Sequence, residues 1–435
     1  MQNKKAHMHD SRSASFLATL FLIFSLFSSV SSGQDIWEFN SISAQGPGGN
    51  FRLPSSHNFQ YLIHEGQEGT PENYDFTAFV PENGTSNTRG FLSLNHELSN
   101  GQVSLFSIEQ DATKRWNLDF LRRFSGLNRP CSGCVTSWGD VLAAEESPRG
   151  RIFQITPTSQ SGVFRNTLGN FAHENVAEHQ SNQRTFYTGE DVRAGGHLLK
   201  FVADNPRDLS SGNLYALRMT GNSTGTWEPI RNNGEDSRAE GFRVDATRWA
   251  GIEDVEISPD DNLVYFAVKG EGTIYRFREN TPLGGGSVNN FEVYAGDGAS
   301  YDTGAGRVSF STGVDNLAFD NAGNLWALQD GNRGRGETYI WVIERGHTQN
   351  APRVRIFGQS PQNSEPTGIT FTPDNKFMFI SMQGPSSNNS AGQADVFGQF
   401  VPNGRDFALV IARDEAWTAT PPQPVITSSG TANGT

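Results

Sequence analysis

Val255-Glu256-Ile257-Ser258-Pro259-Asp260-Asp261-Asn262-Leu263-Val264-Tyr265-Phe266-Ala267-Val268 decides the fold. Two apolar stretches flank a Ser-Pro-Asp-Asp-Asn turn, where proline presets the backbone and the Asx side chains bond their own main chain. The pattern predicts a β-hairpin, and Ile274-Tyr275-Arg276-Phe277 follows as a third strand ending on an aromatic. The same unit recurs at 317–343, around Asp320-Asn321-Ala322-Gly323-Asn324, and at 369–400, around Thr372-Pro373-Asp374-Asn375. Residues 138–155 and 184–202 repeat it with less explicit turns, and 51–107 supplies a sixth copy. Repeats of roughly 45–65 residues, each a small sheet that buries its faces only against its neighbours, are what propeller blades look like. A β-sandwich is the competing architecture, but its strands need not repeat in this unit. The expected fold is all-β: a propeller of about six irregular blades, with long loops and a central metal-binding channel.

Composition agrees with one such unit over 34–414. The chain of 435 residues has 47 Gly, 31 Phe and only 19% charged residues, which suits short strands and many turns. Residues 1–33 read as an export signal: Lys4 and Lys5, then an apolar run over 16–30, then Ser31-Ser32-Gly33. That run is too short and too serine-broken to span a membrane, and no later stretch is apolar enough. Prolines 421, 422 and 424 among Ser, Thr and Gly mark 415–435 as a disordered tail. The expectation is a secreted or periplasmic monomer without a membrane span. A net charge of −13 excludes nucleic-acid backbones as partners, which demand clustered Lys and Arg.

Both cysteines lie in Cys131-Ser132-Gly133-Cys134. Such a pair can be a redox couple, a local disulfide or part of a metal site, and spacing leaves all three open. Carboxylates stand at the ends of expected strands: Glu97, Glu145-Glu146, Glu174, Glu190-Asp191, Glu253-Asp254, Asp315 and Glu365. Singly, each reads as a turn or surface acid; in a propeller such positions converge on the channel. Two carboxylates about 4 Å apart repel by roughly 4 kcal/mol at a surface-like dielectric, so their convergence calls for cations. Oxygen ligands suit calcium, and a thiolate among them calls for a transition metal such as iron. No G-x-S-x-G, Walker loop or H-E-x-x-H is present, and the span from His173-Glu174 to His179 is two residues too long for the last.

In order along the chain, these residues resemble the PhoX-type alkaline phosphatases. The family pattern Asn-Cys-Ala-Gly-Gly-x-Thr-Pro-Trp-Gly-x-x-Leu-x-x-Glu-Glu is similar to the stretch from Pro130-Cys131 through Thr136, Trp138-Gly139 and Leu142 to Glu145-Glu146. His173-Glu174, Gly189-Glu190-Asp191, Gly251-Ile252-Glu253, Asp315-Asn316 and Glu365-Pro366-Thr367-Gly368 follow in family order. The resemblance implies a propeller whose iron and calcium cluster hydrolyses phosphate monoesters. It makes Cys131 an iron ligand and Glu145, Glu146, Glu174, Asp191, Glu253 and Asp315 ligands of iron or calcium. Cys131, Glu253 and Asp315 then serve catalysis, while Asn95 and Arg248 serve the substrate.

Three positions depart from the family. Gly251 stands where the family has a phosphate-binding arginine, Cys134 replaces a glycine, and Lys4-Lys5 is not a twin-arginine export pair. The leading expectation is a secreted metal-dependent phosphomonoesterase acting on small organic phosphate esters. The alternatives are a non-catalytic calcium-binding propeller that recognises sugar or protein, and a calcium-dependent hydrolase of the lactonase or phytase kind.

Overall fold

The computed structural model describes residues 35–418 apart from 47, 233, 311–312, 331–337, 388–391 and 402–403. The expected export signal lies outside the described residues, as does the tail from 419. Each sequence hairpin forms on its expected turn. Ile252–Ile257 pairs with Leu263–Val268 across Ser258–Asn262, Val314–Phe319 with Leu325–Gln329 across Asp320–Asn324, and Glu365–Phe371 with Phe377–Gln383 across Thr372–Asn375.

All named strand pairs are antiparallel, and four sheets have four strands each. One contains Tyr74–Pro81, Arg89–His96, Gly101–Gln110 and Trp116–Leu127; the next contains Pro130–Val135, Val141–Glu145, Ile152–Thr156 and Ser161–Arg165. A nine-stranded sheet follows, made of two meanders that begin at Ala177–Glu178 and Ile252–Ile257 and join where Gly225–Ile230 pairs with Gly286–Gly296. After the sheet that begins at Val314–Phe319, the last one recruits the start of the chain: His57–His64 pairs with Phe407–Arg413. The segment 51–107, expected as one blade, is thus divided between the last sheet and the first meander. A ring must be closed somewhere, and here an edge strand from the other end of the chain closes it.

Six apolar clusters fill the gaps between successive sheets. Strand alternation supplies them: Val141 and Ala143 face the preceding sheet, while Leu142 and Ala144 face the following one. The first strands of the six meanders form the innermost layer, each neighbouring the next, with Tyr74–Pro81 against Glu365–Phe371. The result is the all-β propeller expected from the repeats. Trp417, assigned by sequence to the tail, is buried against Phe377 and Phe397. No helix among the described residues is long and apolar enough to cross a membrane.

Candidate metal centre

The inner strands share one irregularity. Between Tyr74 and Thr77, Pro130 and Gly133, Ile252 and Val255, and Val314 and Leu317, three steps on the inner strand match two on its partner. Each is a β-bulge, which frees a residue from the ladder and re-aims its side chain. The residues at the start of these bulges are Asp75, Cys131, Glu253 and Asp315, and all four line one cavity of about 980 Å³. A second set comes from the far ends of the neighbouring strands. Glu97 follows Arg89–His96, Glu146 follows Val141–Glu145, Asp191 lies just past Thr185–Gly189, Lys269 follows Leu263–Val268, and Asp330 follows Leu325–Gln329. Glu174 and Glu365 complete the lining carboxylates.

Among the described residues, nine carboxylates therefore face three cations, Arg129, Arg193 and Lys269. Arg129 is committed to Glu97 and Glu146, and Gln383 donates to Glu97 at 3.0 Å. The Lys269 ammonium lies 2.7 Å from Asp315, 2.9 Å from Asp330 and 3.3 Å from Glu253. Burial opposes its charge, yet these carboxylates hold its pKa well above the usual lysine value. Arg193 is exposed and makes no hydrogen bond or ion pair among the described residues.

The remaining excess of negative charge shows in the acids themselves. Burial, reinforced by Glu97 and Asp315, pushes the Asp75 carboxyl well above its ordinary range, and burial does the same to Glu174 beside Glu253 and Asp315. Glu146 is pushed up to about 8, mainly by burial, with Arg129 pulling the other way. The Cys131 thiol is raised by burial and then by Asp75 and Glu174; it donates to Glu174 at 3.0 Å. Without cations, burial and mutual repulsion favour the protonated form of these acids.

Residues of this kind fit metal ions. Ligand atoms lie within 4.8 Å of one another in four linked groups: Asp75, Glu97 and Cys131; Cys131, Glu146 and Glu174; Glu174, Glu253 and Asp315; Asp315, Asp330 and Glu365. Among the described residues, buried oxygens of Asp75, Asp191 and Glu253 have no hydrogen-bond partner. A buried carboxylate oxygen without a donor is costly, and a cation removes that cost. The donor set is hard except for one sulfur, a mixture that suits calcium beside a transition metal.

Of the residues expected at the centre, Cys131, Glu146, Glu174, Asp191, Glu253 and Asp315 line the cavity together. Glu145 does not. Adjacent strand residues point to opposite faces, and Glu145 instead accepts from Asn128 N at 2.8 Å and from Arg151 N and Nε at 3.0 and 3.1 Å. Asn95 supports the inner strand, its Nδ2 donating to the Cys131 carbonyl at 2.7 Å, and does not line the cavity. Arg248 is also absent from the lining; its guanidinium lies 5.3 Å from the Phe242 ring centre. Both cysteines are free, and Cys134 lines a different cavity from Cys131. Asp75, Asp330, Lys269, Arg129 and Arg193 were missed by sequence reasoning. The signal for Asp75 was present: like Cys131, Glu253 and Asp315, it is the second residue of an inner strand.

Among solved structures, the chain resembles Pseudomonas fluorescens PhoX in complex with vanadate, a transition state analogue, with a TM-score of 0.69 and 19% identity over 87% of this chain and 98% of that one. A calcium-binding protein, regucalcin from Agrobacterium tumefaciens, aligns at a TM-score of 0.38 and 12% identity, covering 80% of this chain and 93% of its own. A gluconolactonase from Xanthomonas campestris aligns at 0.35 and 11%, covering 86% and 98%. The first likeness shows the propeller fold. No curated protein matches the chain. The family model for alkaline phosphatase PhoX matches residues 147–386, more than half of the sequence, and includes Glu174, Asp191, Glu253, Asp315 and Glu365; the chain belongs to the PhoX alkaline phosphatase family.

Proposed function

We propose that the protein is a metal-dependent phosphomonoesterase that acts on small organic phosphate esters outside the cytoplasm. Family membership gives the phosphoesterase class. The observation that carries the finer reading is an open cavity of about 980 Å³ in which linked carboxylate groups and one thiol stand beside an uncommitted guanidinium. Asp75, Cys131, Glu146, Glu174, Asp191, Glu253 and Asp315 would hold calcium and a transition metal such as iron. Such ions supply a Lewis acid for phosphoryl oxygens and for an attacking water.

The chain's own groups do the rest. Arg193 offers a planar, permanently charged donor for two phosphate oxygens. It takes the role that the family gives to an arginine at the position of Gly251 and for which Arg248 was the sequence candidate. The backbone at Gly251 has φ of +81°, and a Cβ there would lie 2.6 Å from Asp191 Oδ1, so an arginine at 251 is excluded without rebuilding the strand end. Arg129 orients Glu97 and Glu146, and Lys269 orients Glu253, Asp315 and Asp330 while offsetting part of their charge.

The test is hydrolysis of matched chromogenic phosphate monoester and diester substrates by the purified protein, with inorganic phosphate as competitor. Faster monoester turnover with competitive inhibition by phosphate is expected. Preference for the diester, or hydrolysis of neither, would overturn the reading.

A further inference from the structure

We propose that the opposite end of the channel is a second cation site, taking a hard divalent ion of the calcium class through Asp254 and Glu256. Past their bulges the inner strands run on into another cavity, of about 630 Å³. Among the described residues Glu178, Asp254, Glu256 and Asp320 line it, and no Lys, Arg or His does. Two of these acids are occupied. Glu178 accepts from Ser137 N and Oγ, and Asp320 from Asn324 and the Trp326 indole N–H.

The other two are not. Asp254 is 2% exposed; its Oδ2 accepts from Leu317 N at 2.7 Å, but its Oδ1 has no partner among the described residues. Glu256, two residues further on the same strand and therefore on the same face, has only its own neighbour's N–H, Ile257 N at 3.4 Å. Neither residue lines the first cavity, so this position is separate from the centre already described. A buried carboxylate oxygen without a donor must be matched by a cation or a proton.

The surroundings choose the kind of cation. Cys134 also lines this cavity, but among the described residues no three His, Cys, Asp or Glu ligand atoms here come within 4.8 Å of one another. A compact thiolate site of the zinc type is therefore not built. Two carboxylates, the nearby side chains of Ser132 and Asn316, and room for water suit calcium, which accepts irregular oxygen coordination and keeps waters.

The proposal is tested by equilibrium dialysis of the purified protein, its Asp254→Asn variant and its Glu256→Gln variant against calcium, with metal analysis and thermal melts. Each variant is expected to hold one calcium fewer per chain than the parent and to gain less in Tm from calcium. Glu256→Gln, at a partly exposed position, carries the test if Asp254→Asn does not fold. Equal calcium counts in parent and folded variants would overturn the proposal, assigning a proton to Asp254. The count needs no turnover, so it stands apart from the phosphatase reading.

Discussion

Two single side chains carry the proposed chemistry, one thiol and one guanidinium. Cys131 is the single soft donor of its cavity, so Cys131→Ser is expected to lower transition-metal content and phosphatase rate together while leaving a folded protein, measured by metal analysis, turnover and circular dichroism. Unchanged metal and rate would remove Cys131 from the centre. Arg193→Ala deletes a charge-assisted contact worth about 1.5–3 kcal/mol, which corresponds to a rise in KM or in the inhibition constant of phosphate of roughly 10- to 150-fold. Arg193→Lys should recover part of it, because the ammonium keeps the charge but not the fork. A variant with the parent's phosphate affinity would return the role to another cation.

The acids of the site also set a pH dependence. Glu146 has a folded pKa of about 8, against 4.5 for the free side chain, so the folded, metal-free protein binds more protons than the unfolded chain between these values. Stability then falls as pH rises through that window. Asp75, Glu174 and Glu365, all raised by burial and neighbouring acids, act in the same direction. The expected result is a Tm of the chelated protein that drops from pH 5 to pH 8 and a restoring effect of added calcium that grows with pH. A Tm that rises over this interval would contradict the assignment.

At the scale of elements, the bulges do the positioning. The last inner strand has one as well, between Thr367 and Ile369, built on Gly368 with φ of +51°. A Cβ at Gly368 would lie 2.3 Å from Thr77 N on the neighbouring inner strand. Gly368→Ala is therefore expected to destabilise the protein by a few kcal/mol, within the roughly 1–3 kcal/mol of overpacking plus backbone strain, and to weaken metal retention; a thermal melt with metal analysis checks both. The hairpins were legible because Ser258–Asn262, Asp320–Asn324 and Thr372–Asn375 carry turn chemistry that acts locally. The residues after second strands were only partly legible. Glu97, Glu146 and Asp191 stood out as carboxylates at the ends of expected strands, whereas Asp330 and Lys269 lie in none of the motifs the sequence offers. Glu145 misled because adjacent acids look alike in sequence and a strand end sends them to opposite faces. Arg193 was not legible, because lacking a partner among the described residues is a property that no local pattern encodes.

At the scale of the whole molecule, the ring explains why separate segments give one site. Six interfaces hold the sheets, and the strand His57–His64 locks first to last by pairing with Phe407–Arg413. It buries Phe59, Tyr61 and Ile63, each worth roughly 1.5–3 kcal/mol, together comparable with the net stability of about 5–15 kcal/mol of a typical domain. A chain that begins after residue 64 is expected to lose cooperative unfolding, as read by a thermal melt; an unchanged Tm would mean that the ring closes without this strand. Division of 51–107 between two sheets could not be read from repeats, because ring closure depends on a partner some 350 residues away.

Bulged strands bring acids and Cys131 to one end of the channel, where, in the function proposed above, they would hold the ions of a phosphomonoesterase. Hydrolysis of a chromogenic phosphate monoester, measured before chelation, after it, and after return of calcium and iron, tests that claim most directly. Turnover is expected to be lost on chelation and recovered only when the metals return. Turnover that survives complete removal of metal would contradict it.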